Sequence, residues 1–365
     1  REVTGAIESP AAGSEVPRGT LLVGGWAVAD GPVDEALLIV DDGVGQPMQT
    51  GLERPDLETS RPGAGRAGLM AEVDLRGVRG STASLRLIVR AGGDWHEVAQ
   101  STLAVGEPTA VRPHAVFTIV HDEAEFLPVF LRHYSRHLDP ADIYVLDHDT
   151  TDGSTSGLEG RCNVIGVHRE TVFDHLWLKG TVEDFQTFLL RSYRTVLFAD
   201  ADELIFPDPE RYADLGEYMD RFPGPAASCT GFNLVQQPGE APIDLDAPLL
   251  GQRRSWNPSP QYSKRLMSRI PLRWSAGFHK EFNAPGVEPD SDLLLVHLHR
   301  VDYEMCLRRH RAATDRPWAE EDRKWNLTWH QRVVDPDEFR DWFYSGEDLE
   351  GSSAEPVPER FRGQL

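Results

Sequence analysis

The sequence predicts two unlike parts: an all-β sandwich over residues 1–108, then an α/β domain with a mostly parallel sheet over 114–305, followed by a helical extension over 306–365. Three observations carry this reading. Up to about residue 110, apolar and β-branched residues come in short runs separated by Gly, Pro and Asp turns, at the spacing of a sandwich. Beyond it, strand-like runs alternate with segments of helical spacing, the order that yields parallel strands with right-handed crossovers. Between them, residues 106–113 read as a linker, with Pro108 and Pro113 as chain stiffeners.

The sandwich runs are GTLLVGGWAVA, DEALLIVDDG, GLMAEVDL, ASLRLIVRAGG and WHEVAQSTLAV. The paired Cys and Trp of antibody domains are absent. Through GWAVADGPVDEALLIVDDG, RPDLE and GLMAEVDL the segment resembles a bacterial immunoglobulin-like accessory module. That resemblance implies a domain that binds, spaces or dimerises rather than catalyses, so self-association through it is an expectation.

In the second part, AVFTIV (115–120) is a buried strand, and Phe126, Phe130, Tyr134 and Leu138 then recur near helical spacing. IYVLD (143–147) is the next strand. A helix is expected around VEDFQTFLLRSY, then a strand at TVLFA. From about residue 303 the chain reads as charged helix, and its final fifteen residues read as frayed.

Bulk properties exclude several functions. A formal charge of −22 argues against a nucleic-acid partner, whose phosphates need basic surface. The same charge repels any anionic small molecule unless a cation is supplied. No apolar run reaches the length of a membrane span, and no secretory leader is apparent. Cys162, Cys229 and Cys306 are far apart, with no pairing or zinc-site spacing. Reduced thiols and a cytoplasmic location are therefore expected.

In an open parallel sheet, ligands gather at the carboxyl ends of the strands. Here the first strand runs into His121, Asp122 and Glu123, the second into DHDTTDGS (147–154), and the third into Asp200, Ala201, Asp202 and Glu203. Singly, these are the acidic first turn of a helix, a run of turn formers and a solvated turn. Together they place three acidic strand ends in one sheet.

In order and spacing, TIVHDEAEFLPVFLRHY, IYVLDHDTTDGS and VLFADADELIF resemble the nucleotide-sugar half of a GT-A glycosyltransferase of the family 2 type. The resemblance implies a Rossmann-like catalytic domain. It implies that Asp147 reads the nucleobase and that His121 and Glu123 approach the nucleoside, with HDE standing where relatives show Asn-Glu. Asp149, Lys179 and Ala201 fall among donor-contacting positions. Asp200 and Asp202 match the metal-binding D-x-D. The chemistry agrees, because carboxylates are hard ligands for Mn²⁺ or Mg²⁺, and either ion bridges diphosphate oxygens.

The expected donor is a nucleoside diphosphate sugar, UDP in preference to GDP, with the acceptor undetermined. A later strand-borne His recurs in relatives, so the resemblance implies His297 or His299 as a further metal ligand; strand alternation puts both on one face, and His297 is favoured. Lys264 and Arg265 are expected to face the phosphates. The general base is expected to be Glu281, then His279, with Asp244 or Asp246 behind them. Trp256, Trp274, Trp325 and Trp329 offer faces for an acceptor. Glu203 and Asp208 are expected only to shape the loop. Two alternatives stand: a sugar nucleotidyltransferase, disfavoured because no Gly-rich basic loop follows the first strand, and a glycan- or partner-binding protein whose GT-A half is inactive.

Overall fold

The structure, a computed structural model, describes residues 3–78, 80–109, 112–169, 173–283, 287–346, 349 and 352–365. The chain divides into two compact units, Arg1–Thr109 and Ala110–Leu365. Residues 110 and 111 of the predicted linker lie outside the described residues.

The first unit is all β apart from one turn of helix, Pro55–Ser60. A four-stranded sheet runs Thr4–Ser9, Thr20–Val28, Gly68–Asp74, Gln49–Leu52. A five-stranded sheet runs Glu15–Val16, Asp94–Val105, Thr82–Ala91, Val33–Val40, Gln46–Pro47. Strand Thr82–Ala91 shows why they pack: Ala83, Leu85, Leu87 and Val89 are fully buried at every second position, so one face is apolar. Val23, Leu69 and Val73 from the other sheet join them in a single core.

The second unit is mixed α/β. Four strands form a parallel block in the order Asn163–Val167, Ile143–His148, Arg112–Val120, Tyr193–Phe198. The central strand, Arg112–Val120, is buried along most of its length, as a strand covered on both faces must be. Helices Phe126–Tyr134 and His175–Leu189 follow the first strand and the Asn163–Val167 strand. The expected parallel order holds in this block and becomes mixed beyond it. Met267–Ser268 pairs antiparallel with both Tyr193–Phe198 and Ala226–Asn233. Pro289–His297 runs parallel to Ala226–Asn233 and antiparallel to Glu203–Pro207. Apolar runs mark where strands are, but not their direction in a mixed sheet.

The expected boundary at 305/306 is corrected by helix Tyr303–Asp315, which runs through it. Residues 306–365 are integral to this unit. Phe339, Trp342 and Phe343 of helix Pro336–Ser345 pack with Val235 and Cys306. The tail expected to fray is folded: Glu355–Pro356 pairs with Ser255–Pro258, and Val357, Phe361 and Leu365 enter the main core. Their spacing of four hides three apolar anchors in a polar sequence. Among the described residues, no helix is long and apolar enough to cross a membrane.

Candidate functional site

A cavity of about 510 Å³ opens beside the carboxyl ends of Arg112–Val120 and Tyr193–Phe198. His121, Asp122 and Glu123 line one side, the turn at 200–203 the floor, and His297 and His299 the far end of the floor. Arg308, Arg309 and Arg316, carried by and just after helix Tyr303–Asp315, form the opposite wall. Phe173, stacked on Trp318 at 4.1 Å, adds an aromatic side.

In the turn, Glu203 N donates to Asp200 O at 2.9 Å. This brings Asp200, Asp202 and Glu203 together. Burial and the neighbouring Glu203 carboxylate push the Asp200 carboxyl up to about 8, against the pull of Lys264. The counter-charge is local: Lys264 Nζ donates to Glu203 Oε1 at 2.6 Å, and both side chains are buried. Burial lowers the Lys264 pKa, but Glu203 and Asp200 outweigh it and leave the ammonium raised.

Sheet pairing brings the histidines to Asp202. Glu203 lies opposite His297 across the antiparallel pair, and Leu298 N donates to Asp202 O at 2.8 Å. Asp202 Oδ2 then lies 3.6 Å from His297 Nε2 and 3.7 Å from His299 Nδ1. Burial alone would raise the Asp202 carboxyl, but His297 and His299 outweigh it and hold it well below the usual carboxylate range. These three donor groups converge closely enough to hold one metal ion. Donors about 2.1 Å from a shared ion lie roughly 3.0–3.4 Å apart at octahedral to tetrahedral angles, a few tenths of an ångström less than the two Asp202–histidine distances.

Two further contacts fix the His297 ring. Its Nδ1 donates to Asn233 Oδ1 at 2.9 Å, and the Tyr262 ring stacks on it at 3.9 Å. Gly231 permits that stacking: a Cβ there would fall 2.2 Å from the Tyr262 carbonyl carbon.

The arginine wall meets the first loop in ion pairs. Arg309 binds Glu123 through two hydrogen bonds, Arg308 binds Glu125 at 2.8 Å, and Arg316 lies 3.6 Å from Asp122. Sequence reading missed these arginines; the only signal was the basic density of CLRRHRAATDR on one helix.

His121, Glu123, Asp200, Ala201, Asp202, Lys264, His279 and His297 all line the cavity as expected of site residues. Lys264 is corrected in one respect: its ammonium is held by Glu203. His279 Nδ1 donates to Gln261 O at 3.0 Å, which directs the lone pair to Nε2. Burial and the Lys264 charge hold this imidazole down at about 4, so it is neutral at physiological pH.

Asp147, Asp149, Lys179, Arg265 and Glu281, with the four tryptophans and the reserve bases, fall outside the cavity lining. Asp147 accepts from Thr150 N at 2.9 Å and Thr155 Oγ1 at 2.8 Å, shaping its own loop. Asp149 pairs with His168 at 2.5 Å and accepts from Arg169 N at 3.2 Å. Lys179 pairs with Glu183 at 3.1 Å along one helix. Glu281 is corrected as a candidate base, because its buried carboxylate is ion-paired with Arg265. Trp256 and Trp274 are core residues, whereas Trp325 and Trp329 are exposed. Of the reserve bases, Asp244 and Asp246 lie in the loop before helix Leu249–Gln252, where Asp244 Oδ1 accepts from Asp246 N.

No family model matches the chain, and no curated protein does. Solved structures give only faint likenesses. The endo-beta-1,4-mannanase from Thermotoga petrophila matches at 15% identity over 29% of this chain and 20% of its own, with a TM-score of 0.23. The N-terminal Ig1-2 module of Drosophila receptor protein tyrosine phosphatase DLAR matches at 16% identity over 32% of this chain and 60% of its own, with a TM-score of 0.19. The chain thus spans from a fifth to three-fifths of these structures, and scores this low carry no argument about fold or activity.

Chemically, the cavity joins a candidate seat for a cation to three arginines, each ion-paired with a carboxylate of the first loop. That combination suits a ligand with more than one anionic oxygen.

Proposed function

We propose that this chain is a metal-dependent glycosyltransferase that moves a sugar from a nucleoside diphosphate donor, UDP in preference to GDP, to an acceptor hydroxyl or similar nucleophile. One observation carries the reading: in a chain of charge −22, Asp202, His297 and His299 share a single cavity with Arg308, Arg309 and Arg316. A diphosphate there would need the charge of a bound cation, because the lining carries Asp122, Glu123, Glu125, Asp202 and Glu203 beside the arginines and the protein's net charge repels it.

Asp202 and His297 would hold the cation, with His299 completing the set. A divalent ion there supplies Lewis-acid stabilisation to the departing nucleoside diphosphate. Arg316, 3.6 Å from Asp122, would offer donors to phosphate oxygens, and Arg309 would do so by exchanging Glu123 for them. Lys264 keeps Glu203 and Asp200 from repelling the same phosphates. His279 is the proton acceptor for the attacking hydroxyl, since its Nε2 is unprotonated at neutral pH. Asp200 lies beside the seat, its carboxyl pushed up to about 8 by burial and Glu203.

The test is thermal unfolding with UDP or GDP, each with and without Mn²⁺, followed by hydrolysis of a panel of sugar nucleotides. Stabilisation that requires both metal and one nucleotide is expected, about 2.7 kcal/mol at a hundredfold excess over Kd. Turnover of one sugar nucleotide should vanish in Asp202→Ala. No response to any nucleotide–metal pair would overturn the reading in favour of a binding protein.

A further inference from the structure

We propose that Thr328, His175 and Asp322 form a second catalytic centre, which hydrolyses short-chain carboxylic esters through an acyl-threonine and needs no metal. None of its three residues belongs to the cation seat, so it stands or falls independently of glycosyl transfer.

Asp322 is fully buried, and its two oxygens accept from the backbone N–H of His175 at 3.3 and 3.1 Å. The same Oδ2 lies 2.6 Å from His175 Nδ1. Facing an oxygen that already accepts, the ring carries its proton on Nδ1 and its lone pair on Nε2. That Nε2 lies 3.4 Å from Thr328 Oγ1, and the hydroxyl is the donor. Nucleophile, base and buried orienting acid thus follow one another as in a catalytic triad. The last contact is long for a hydrogen bond and within the looseness that such pairs show before substrate binds.

His175 and Thr328 both line the cavity, whereas Asp322 does not. The His175 side chain is 12% exposed, so it is reachable and still held. Phe173 and Trp318 flank its ring, nearly parallel to it at 6.3 Å. Thr328 is fixed at φ 47° and ψ 35°. That left-handed conformation is costly for a β-branched residue, and strain of this kind gathers at functional sites. Leu327 N donates to Asp322 O at 2.9 Å and ties the threonine's neighbour to the acid. Capping of helix His175–Leu189 explains the bond from Asp322 to the backbone, beside Asp174, which accepts from Trp177 N. It explains neither the imidazole bond nor the hydroxyl in front of it.

The lining also names the substrate class. Phe173, Leu178, Ala312 and Ala313 give the cavity apolar surface for a short acyl chain. Gln331 lines it too, and its backbone N–H donates to Thr328 O at 3.0 Å; we assign its amide to the charge that develops on the carbonyl oxygen. Thr328 Oγ1 adds to the ester carbonyl carbon as its proton passes to His175 Nε2, and Asp322 balances the imidazolium. Collapse breaks the bond to the alkoxy group, which leaves with that proton as the alcohol. Water then adds to the acyl-threonine and gives a proton to His175. The second collapse returns this proton to Thr328 Oγ1 and frees the carboxylic acid.

The experiment treats the full chain, in EDTA and without nucleotide, with 4-nitrophenyl acetate and separately with phenylmethylsulfonyl fluoride, followed by peptide mass spectrometry. Saturable hydrolysis is expected, with one sulfonyl group on Thr328. Thr328→Val keeps the shape and loses the hydroxyl; it should lose the label and about a hundredfold or more in kcat/KM, while Thr328→Ser keeps both. His175→Gln and Asp322→Asn should each lose about a hundredfold or more. Melting of each variant separates misfolding from lost chemistry, and should Asp322→Asn not fold, Thr328→Val and the label decide. No hydrolysis, a label confined to other residues, or undiminished hydrolysis in a folded Thr328→Val overturns the proposal. Hydrolysis in EDTA without any response to nucleotide and Mn²⁺ keeps this centre and removes glycosyl transfer. Stabilisation by nucleotide and Mn²⁺ with Thr328 unlabelled does the reverse.

Discussion

Arg309 grips Glu123 through two parallel hydrogen bonds, Nη1 to Oε1 at 2.5 Å and Nη2 to Oε2 at 2.9 Å. The pair ties helix Tyr303–Asp315 to the loop after the first strand of the second unit. It closes one side of the cavity with residues 186 positions apart.

Bidentate Arg–carboxylate pairs are strong and geometrically exacting. Both partners are mostly but not wholly buried, so a coupling of about 1–3 kcal/mol is expected in a double-mutant cycle of Arg309→Ala and Glu123→Ala, read by urea unfolding. Arg309→Lys should keep less than half of it, because an ammonium cannot span both oxygens. A coupling near zero would mean that the pair is spectator geometry.

The Lys264–Glu203 pair is buried on both sides, and Asp200 stands beside it. Lys264→Met alone strands the buried Glu203 carboxylate and should cost about 3–5 kcal/mol. Lys264→Met combined with Glu203→Leu should recover most of that loss. Denaturant midpoints of the single and double variants decide the matter, with equal midpoints counting against the pair as the organiser of this floor.

Gly231 sits where a Cβ would collide with Tyr262 backbone, 2.2 Å from its carbonyl carbon and 2.4 Å from its oxygen. Gly231→Ala must push the 260–262 turn away and so unstack Tyr262 from His297. A stability loss of about 1–3 kcal/mol is expected from the overpacking, with weaker Mn²⁺ binding measured by calorimetry. Normal metal affinity in a folded Gly231→Ala would show that the stacking does not orient His297.

Acid should destabilise the second unit as its buried histidines titrate, with Asp200, whose carboxyl is pushed up to about 8, acting in the opposite direction. Burial pushes His133 down to about 3, and burial with the neighbouring His299 pushes His310 down to about 3. In the unfolded chain each titrates near 6.5. Their folded-state values are depressed, so the unfolded state binds more protons between about pH 6.5 and 3. Stability is therefore full above 6.5 and is lost as pH falls through that window, by up to about 1.4 kcal/mol per unit for each group. Melting midpoints from pH 8 to 5 should show a plateau and then a decline. His133→Gln, which keeps a donor for Ile205 O, should make the decline shallower; an identical slope would exclude His133 as a contributor.

The sequence alone determined the division near residue 109, the three strands 115–120, 143–147 and 195–199, and the acidic residues at their ends. These are local properties: apolar runs declare strands, and polar residues directly after them must sit at strand ends. Asp202 was legible for that reason, and His297 through the resemblance to relatives with a later strand-borne histidine. Alternation could not choose between His297 and His299, and it had no need to, because the Leu298 N to Asp202 O hydrogen bond brings both imidazoles to one carboxylate. Tertiary structure decided the rest. Only folding pairs Glu281 with Arg265, Lys264 with Glu203 and Arg309 with Glu123, and only folding joins His310 to His299 by a hydrogen bond. A charged side chain shows in sequence that it needs a partner, but which partner it finds depends on long-range chain packing, and no local pattern encodes that.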